Sequence, residues 1–558
     1  MNIHHILIQE LQNILSVCIS EMANERGIQP NELPKIEIEK PFNTDHGDYA
    51  SNIPLRLTKL FKNNPLTLAN EIAKKLPCNA NSFTVETAAP GFINFKLSEN
   101  WVRDQINVII KAGSSYGDLP VGKGTKVMIE FVSVNPTGPA HVGHARGAVL
   151  GSALANMMSA AGYSVTREYY INDAGNQMNL FYESVLARYH ELHGENYPFP
   201  EKGYQGDYVT GIAKLIQETY GSSLLNNNDM LKIAGDFSKG NMLNVISEDL
   251  SILGVEFDNW FSEKSLFDSD DYSETISELK TKQYLKEMDN ALWFASTLLD
   301  DDKDNVIVRT NGEPTYFASD IAYHRNKFVK RKFDRVIDIW GADHQGHISR
   351  LKAAMRALHI DDSKLTILIS QMVTLKKGDE VVKASKRTGD FITVRDLVDE
   401  VGADACRYFF LARSASSQME FDMELAKKTS NENPVHYIQY AHARITNILN
   451  LALEKNLDWQ KGDINLLTNV HELKLIKTLI RLPEVVLQVS DSLEPHHMPH
   501  YALEVASSAH AFYENCRVIS SDPEEEAITL ARLHLLEASR IVFKKILDLM
   551  GMSAPERM

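Results

Sequence analysis

The sequence has little of several features that would settle its class quickly. Only four of its 558 residues are cysteine: Cys18, Cys78, Cys406 and Cys516. They lie far apart and form no C-x-x-C pair, which excludes a zinc knuckle and gives no basis for a disulfide framework. A reducing cytoplasm fits that usage. No run of 18 apolar residues occurs, so a transmembrane helix is excluded. The opening MNIHHILIQELQ has no basic stretch and carries Glu10 early, so no secretory signal is expected. Internal repeats and low-complexity tracts are missing as well. Positive charge is in deficit, with 58 Lys and Arg against 74 Asp and Glu, a formal net charge of −16. Taken over the whole chain, that deficit argues against a polyanionic partner. What is there is ordinary globular usage, 44% hydrophobic and 24% charged, which excludes long disorder. The length suggests about three to five domains.

The hydrophobic pattern changes rhythm along the chain. Residues 3–22 carry Ile3, Leu7, Leu11, Ile14, Leu15 and Ile19 at helical spacing. KIEIEK (35–40) and GFINFKLS (91–98) alternate like half-buried strands, and Asn63–Pro65 opens a helix through Leu76. This predicts an N-terminal α+β domain over 1–113, ending in a Gly/Pro/Ser-rich linker at 113–124. Next, VMIEFV (127–132) is a continuous apolar run, as expected of a strand covered on both faces. A helix is expected from about His141 to Ala161. SVTREYY (164–170), DRVIDIW (334–340) and KLTILIS (364–370) read as further strands, with a helix over 348–358. Strand–helix alternation predicts a doubly wound parallel sheet over 114–372, with an insertion at about 190–300. A connecting region follows over 373–425. Residues 426–558 show only helical periodicity, in stretches 432–455, 471–493, 498–518 and 525–551. SSDPEEE (520–526) is a helix-start signal, and an all-helical C-terminal domain is expected.

Two short motifs carry chemistry. NPTGPAHVGHARG (135–147) stands between the first apolar strand and the helix after it. At its centre are His141, Gly143 and His144. A helix N-terminus offers free N–H groups and a positive dipole end for phosphate. Gly143 leaves room for a flat base to approach the backbone. Two imidazoles three residues apart share a helical face and can donate to charge developing on a phosphoryl oxygen. The second motif is Lys383-Ala384-Ser385-Lys386-Arg387, in a polar stretch flanked by glycine. Two lysines three apart can neutralise pyrophosphate.

H-x-G-H followed by K-x-S-K resembles the signature pair of class I aminoacyl-tRNA synthetases. The surrounding segments resemble the arginyl-tRNA synthetase family in particular. They are IEFVSVNPTGPAHVGHARGAVLG (129–151), REYYINDAGNQ (167–177), YFASDIAYH (316–324), KASKRTGDFITVRDLVDEVGADACRYFFL (383–411), ENPVHYIQYAHARI (432–445), SAPERM (553–558) and HGDYASN (46–52). The resemblance spans nearly the whole chain and is least specific at 190–260. One departure is Ala384, where class I enzymes often have Met. Altered loop packing is expected there, with the chemistry of Lys386 kept.

The resemblance implies a Rossmann-like catalytic domain with an insertion, between an N-terminal tRNA-binding module and a C-terminal helical anticodon-binding domain. It implies that L-arginine and ATP form arginyl-adenylate and pyrophosphate, and that the arginyl group then passes to the 3′-terminal adenosine of tRNA(Arg). His141, His144, Lys383 and Lys386 would be catalytic. ATP would be held by His141, Gly143, His144, Lys386 and Asp343, with Mg2+ accompanying it and no zinc. Arginine would meet Glu130, Asn135, Glu263, Tyr316, Asp320 and His344. A planar, permanently charged guanidinium needs carboxylates in bidentate geometry, which favours Glu263 and Asp320. tRNA would be touched by Tyr49, Asn52, Tyr437, Gln439, Tyr440 and Arg444. A cytoplasmic monomer without membrane contact is expected.

Two other readings stay open at this point: a different H-x-G-H nucleotidyl transferase acting without RNA, and a synthetase-like RNA-binding protein without catalysis. The charge deficit resolves by segment. Residues 1–113 carry a net −1, 114–425 a net −12 and 426–558 a net −3. The two ends proposed to hold RNA are nearly neutral.

Overall fold

The computed structural model describes residues 3–41, 43, 46–76, 82–378, 380–381 and 392–558, with backbone only over 3–6. At its centre is a five-stranded parallel sheet made of β1 (Lys126–Glu130), β2 (Ser164–Ile171), β3 (Asn259–Ser262), β4 (Arg335–Gly341) and β5 (Leu365–Ser370). The spatial order is β5-β4-β1-β2-β3, and every pairing is parallel. The chain runs outward from β1 to β3 and then returns to the other side of β1. The order therefore reverses between β1 and β4, where open α/β sheets leave a crevice at their carboxyl ends. The doubly wound expectation holds, and four of the five strands lie within two residues of the sequence reading at each end.

The fifth strand was hidden. Within the stretch read as an insertion, Asn259–Ser262 returns to the sheet as its edge, pairing Glu168 to Asn259 and Ile171 to Ser262. Four residues, bounded by charged and polar neighbours, are too few to show a period. Around it, helices fill 176–252, and a small antiparallel sheet of Leu285–Met288, Ala291–Phe294 and Asn305–Val308 precedes the YFASD helix.

Helix α1 (Val142–Ala160) follows β1 and is buried nearly all round. Its small residues allow this. At Gly151 the Phe131 ring lies 2.2 Å from where a Cβ would stand, so strand and helix touch there only because the residue is glycine. Helix α2 (Tyr316–Arg325) continues into a π-helical turn at Asn326–Lys330.

The N-terminal part is a three-stranded antiparallel sheet carried by helices, among them Ile3–Asn24 and Pro65–Lys75. KIEIEK contributes one bridge, Glu39 to Ala50, rather than a strand. The expected linker is packed: Tyr116 is 1% exposed, and Leu482 lies 3.0 Å from the would-be Cβ of Gly117. From Pro434 onward the described chain is helical. The expected helix at 471–493 is two, Val470–Leu479 and Leu482–Ser492, because Pro483 lacks the N–H that would continue the first. Cys18, Cys406 and Cys516 are free and buried, and Cys78 lies outside the described residues. Among the described residues no helix is long and apolar enough to cross a membrane.

Candidate active site

The candidate residues gather at the carboxyl edge of the sheet: Asn135 after β1, Asn172 and Asp173 after β2, Glu263 after β3, and Asp343 and His344 after β4. The H-x-G-H segment builds the start of α1. His141 is its N-cap, and its Nδ1 accepts from the Gly143 N–H at 3.1 Å. His144 Nδ1 in turn accepts from the His141 N–H at 3.2 Å. The two rings stack with centroids 3.6 Å apart. Space above Gly143 is taken by the His141 ring, whose Cε1 is 2.9 Å from a would-be Cβ. The glycine therefore admits the histidine here, where a bound base was expected.

Lys383 and Lys386 fall in 382–391, outside the described residues. The chain beside them is well anchored. Val142 N–H donates to Ile392 O at 3.1 Å, Val394 N–H donates to Ala140 O at 2.9 Å, and His141 bridges Thr393. Residues 392–394 are thus stitched to the histidine motif.

The second half of the site is acidic. Glu263 is 3% exposed and Asp320 is half-buried. Neither has an ion-pair partner within 4 Å among the described residues. Burial, with Asp320 and Asp173 adding, pushes the Glu263 carboxyl up to about 7, although hydroxyls of Ser319 and Tyr170 oppose the shift. Burial also raises Asp320, against the pull of His324, Arg350 and Lys327. Two carboxylates held out of water without a cation is an unstable arrangement unless a cation is to come.

Tyr316 and Asp320 share one face of α2, and Ser319 lies beside them. The opposite face is core, with Phe317 edge-on to Phe294 at 5.9 Å. The helix start is fixed by Thr315, whose N–H donates to Ile307 O at 2.8 Å and whose hydroxyl donates to Val306 O at 2.9 Å. Tyr316 is 46% exposed, and its hydroxyl lies 3.5 Å from a would-be Cβ on Gly175, at the mouth of the pocket. Asn135 donates to Gln177 Oε1. The Asn172 side-chain amide lies 2.9 Å from Glu263 Oε2 and donates to it when its nitrogen is oriented toward that oxygen.

Several placements differ from expectation. Glu130 is 7% exposed, and its Oε2 accepts from Lys327 Nζ at 2.6 Å. Lys327, wholly buried, also donates to Asp338 at 2.9 Å, and Asp338 meets His324 Nε2 at 2.9 Å. Glu130 is thus neutralised within a buried network beneath the pocket and is not left to meet a substrate cation. Asp343 and His344 stand 3.5 Å apart on a short 3-10 turn, both exposed. Tyr49 is 5% exposed and donates to Glu484 at 3.4 Å, between the N-terminal module and the C-terminal helices. Gln439 is 7% exposed and donates to Asp404 Oδ2 at 2.7 Å and Ser553 O at 3.0 Å, tying down the C-terminal segment. Neither side chain faces solvent. Asn52 is half-buried at the cap of Ile53–Phe61. Tyr440 and Arg444 are exposed: Tyr440 stacks on His436 and His510, Tyr437 lies 4.3 Å from His510, and Arg444 covers the Tyr513 ring.

Sequence reasoning left three contributors unassigned. Asp173 accepts from the Ser262 hydroxyl at 2.8 Å and from Lys264 N–H at 3.0 Å, and so aims the intervening Glu263. Asn172 contacts that carboxylate directly. Both stand in REYYINDAGNQ, a segment quoted above without a role for either. Arg146, fully buried, donates to carbonyls of Gln371, Ser417 and Ser414 at 2.9, 2.7 and 2.8 Å, bracing α1 against the segments on both sides of the lysine motif.

A parallel sheet of this order, with H-x-G-H opening the helix after its first strand and acidic residues at the carboxyl edge, has the architecture of a class I aminoacyl-tRNA synthetase. Comparisons with known proteins narrow the class. Three family models match: "Arginyl tRNA synthetase N terminal domain" over 3–97, "tRNA synthetases class I (R), catalytic domain" over 105–449 and "DALR anticodon binding domain" over 438–558. An arginine–tRNA ligase of Dehalococcoides mccartyi is 50% identical over 98% of this chain and 99% of its own. The crystal structure of a putative arginyl-tRNA synthetase from Campylobacter jejuni is 34% identical, covers 83% of this chain and 100% of its own, and superposes with a TM-score of 0.76. Thermus thermophilus arginyl-tRNA synthetase, at 20% identity and 99% and 100% coverage, shares the fold with a TM-score of 0.77. The chain belongs to the arginyl-tRNA synthetase family.

Proposed function

We propose that the pocket between Glu263, Asp320 and Tyr316 takes the guanidinium of arginine and directs its carboxylate toward ATP at the H-x-G-H helix. The protein is an ATP-dependent arginine–tRNA ligase, and the proposal concerns how this chain does it. One observation carries it: buried Glu263 and half-buried Asp320 have no ion-pair partner among the described residues, in a fold whose H-x-G-H helix opens at the same carboxyl edge of the sheet. Asn135 holds the α-amino or carboxylate end. The arginine carboxylate oxygen forms a bond to the α-phosphorus as the bond to pyrophosphate breaks, and the electron pair leaves with pyrophosphate. Such a transfer is served by positioning and charge stabilisation. His141 and His144 supply donors, and Lys386, with Lys383, neutralises the leaving group. Mg2+ enters with ATP, held chiefly by phosphate oxygens and water.

The 2′-hydroxyl of the terminal adenosine then takes the arginyl group from AMP. Tyr437, Tyr440 and Arg444 form an aromatic and cationic face suited to unstacked bases, and Asn52 lies on the N-terminal module. The four-part division at about 113, 372 and 425, a monomeric state and a cytoplasmic location belong to the same proposal. The intact H-x-G-H and full-length family match do not favour a transferase acting without RNA or a protein without catalysis. Pyrophosphate exchange with each amino acid, with and without tRNA, tests the reading. Exchange is expected with arginine alone and only when cognate tRNA is present. Exchange with arginine in the absence of tRNA refutes the tRNA requirement, and exchange with another amino acid refutes the pocket.

A further inference from the structure

We propose that Glu494, His496 and His497 form a site for one divalent transition cation of the zinc class, apart from the ligase site. One potential ligand atom from each residue lies within 4.8 Å of the others. The three sit on the turn between helix Leu482–Ser492 and helix His497–Asn515. That turn is fixed on both sides: Leu493, in the left-handed region at φ +59°, is 5% exposed, and Met498 is fully buried. A rigid turn presents its ligands without a further ordering cost.

His497 Nε2 lies 3.2 Å from the Gln488 side-chain amide and 3.3 Å from the Glu494 carboxylate, so an imidazole nitrogen and a carboxylate oxygen already stand side by side at the turn. His496 adds a second imidazole, its ring 4.4 Å from that of His497, and its Nδ1 is shielded from solvent with no hydrogen-bond partner among the described residues. His500, 5.8 Å from His496, already contacts Ala412 O at 3.1 Å, so three protein ligands and open positions for water are the expected set. The positive end of the helix starting at His497 opposes a cation, and the Glu494 charge offsets it.

The test titrates the metal-stripped full chain with Co2+, following d–d absorption and calorimetric stoichiometry, and repeats it with Zn2+. Other histidine pairs bind cations too, so the site is read as a difference between variants. His497→Gln and the exposed Glu494→Gln are each expected to remove one equivalent or weaken it at least about tenfold. His471→Gln, elsewhere in the helical domain, leaves the isotherm unchanged. Melting of the parent rises on adding Co2+, and the two site variants lose that rise. Circular dichroism confirms that each variant is folded. Isotherms of folded Glu494→Gln and His497→Gln that superimpose on the parent overturn the proposal.

Discussion

Replacing Glu263 by Gln separates what the pocket does for substrate from what it costs the fold. The carboxylate is nearly inaccessible, and its pKa is pushed up to about 7 from 4.5, first by burial and then by Asp320 and Asp173. That rise corresponds to about 3 kcal/mol of destabilisation once the group is ionised. The direction follows from proton binding. The folded state holds the proton more tightly than the unfolded one. Below about pH 4.5 both are protonated and no penalty exists; between there and 7 the penalty grows, and above 7 it is complete. Gln keeps the shape and hydrogen-bonding capacity without the charge. The variant is therefore expected to exceed the parent in stability by up to about 3 kcal/mol at pH 8 and by less than about 1 kcal/mol at pH 5. Urea titrations at both pH values, read from the transition of the catalytic part, measure the difference. In the same variant arginine affinity falls at least about tenfold, since a charged hydrogen-bond pair is lost. Parent affinity for arginine strengthens as pH rises toward 7 and then levels, while the variant stays flat. A variant less stable than the parent at pH 8, or a stability difference independent of pH, refutes the uncompensated buried carboxylate. Unchanged arginine affinity removes Glu263 from the guanidinium site.

Asp320→Ala raises the KM for arginine far more than that for ATP, by at least about tenfold; equal effects in steady-state kinetics would place Asp320 elsewhere. Gln439→Ala releases the contacts to Asp404 and Ser553 and costs about 1–3 kcal/mol in a denaturant titration, while the affinity of the folded variant for tRNA stays within about twofold; a selective loss of tRNA affinity would return Gln439 to the RNA face. Lys386→Ala lowers the rate of arginine-dependent pyrophosphate exchange and leaves tRNA binding nearly intact in a filter-binding assay; lost tRNA affinity would count against its pyrophosphate role.

The legible parts of this fold were those with a period or a punctuation mark. A continuous apolar run marked β1, a strand-like stretch marked β4, and Pro and Gly marked where the segments stop. The H-x-G-H start was legible because its residue types, spacing and position after a strand agree. The edge strand Asn259–Ser262 was not, because four half-buried residues display neither alternation nor a run. Burial of polar groups was equally hidden. Glu130, Tyr49 and Gln439 have the chemistry of ligands, and only three-dimensional packing shows that Lys327, Glu484 and Asp404 already occupy them. Glu263 is the converse. Its segment is the least distinctive in sequence, yet its carboxylate stands at the carboxyl edge of the sheet without a counterion among the described residues.

That contrast also explains the charge distribution. Net charge over a chain is a poor guide to partners, because screening at physiological salt confines each charge to about 8 Å. The −12 of residues 114–425 falls on the segment that holds the proposed arginine pocket, where a cationic substrate calls for acids in excess of bases. The network below it shows the distinction residue by residue. Asp338 and Glu130 share Lys327, and Glu168 is held by Arg331, so these carboxylates are internally balanced. Glu263 and Asp320 have no such partner among the described residues. If they take the guanidinium as proposed, the acidity of the middle segment serves the small cationic substrate, while nearly neutral ends leave a polyanion unopposed, so an acidic chain can serve both.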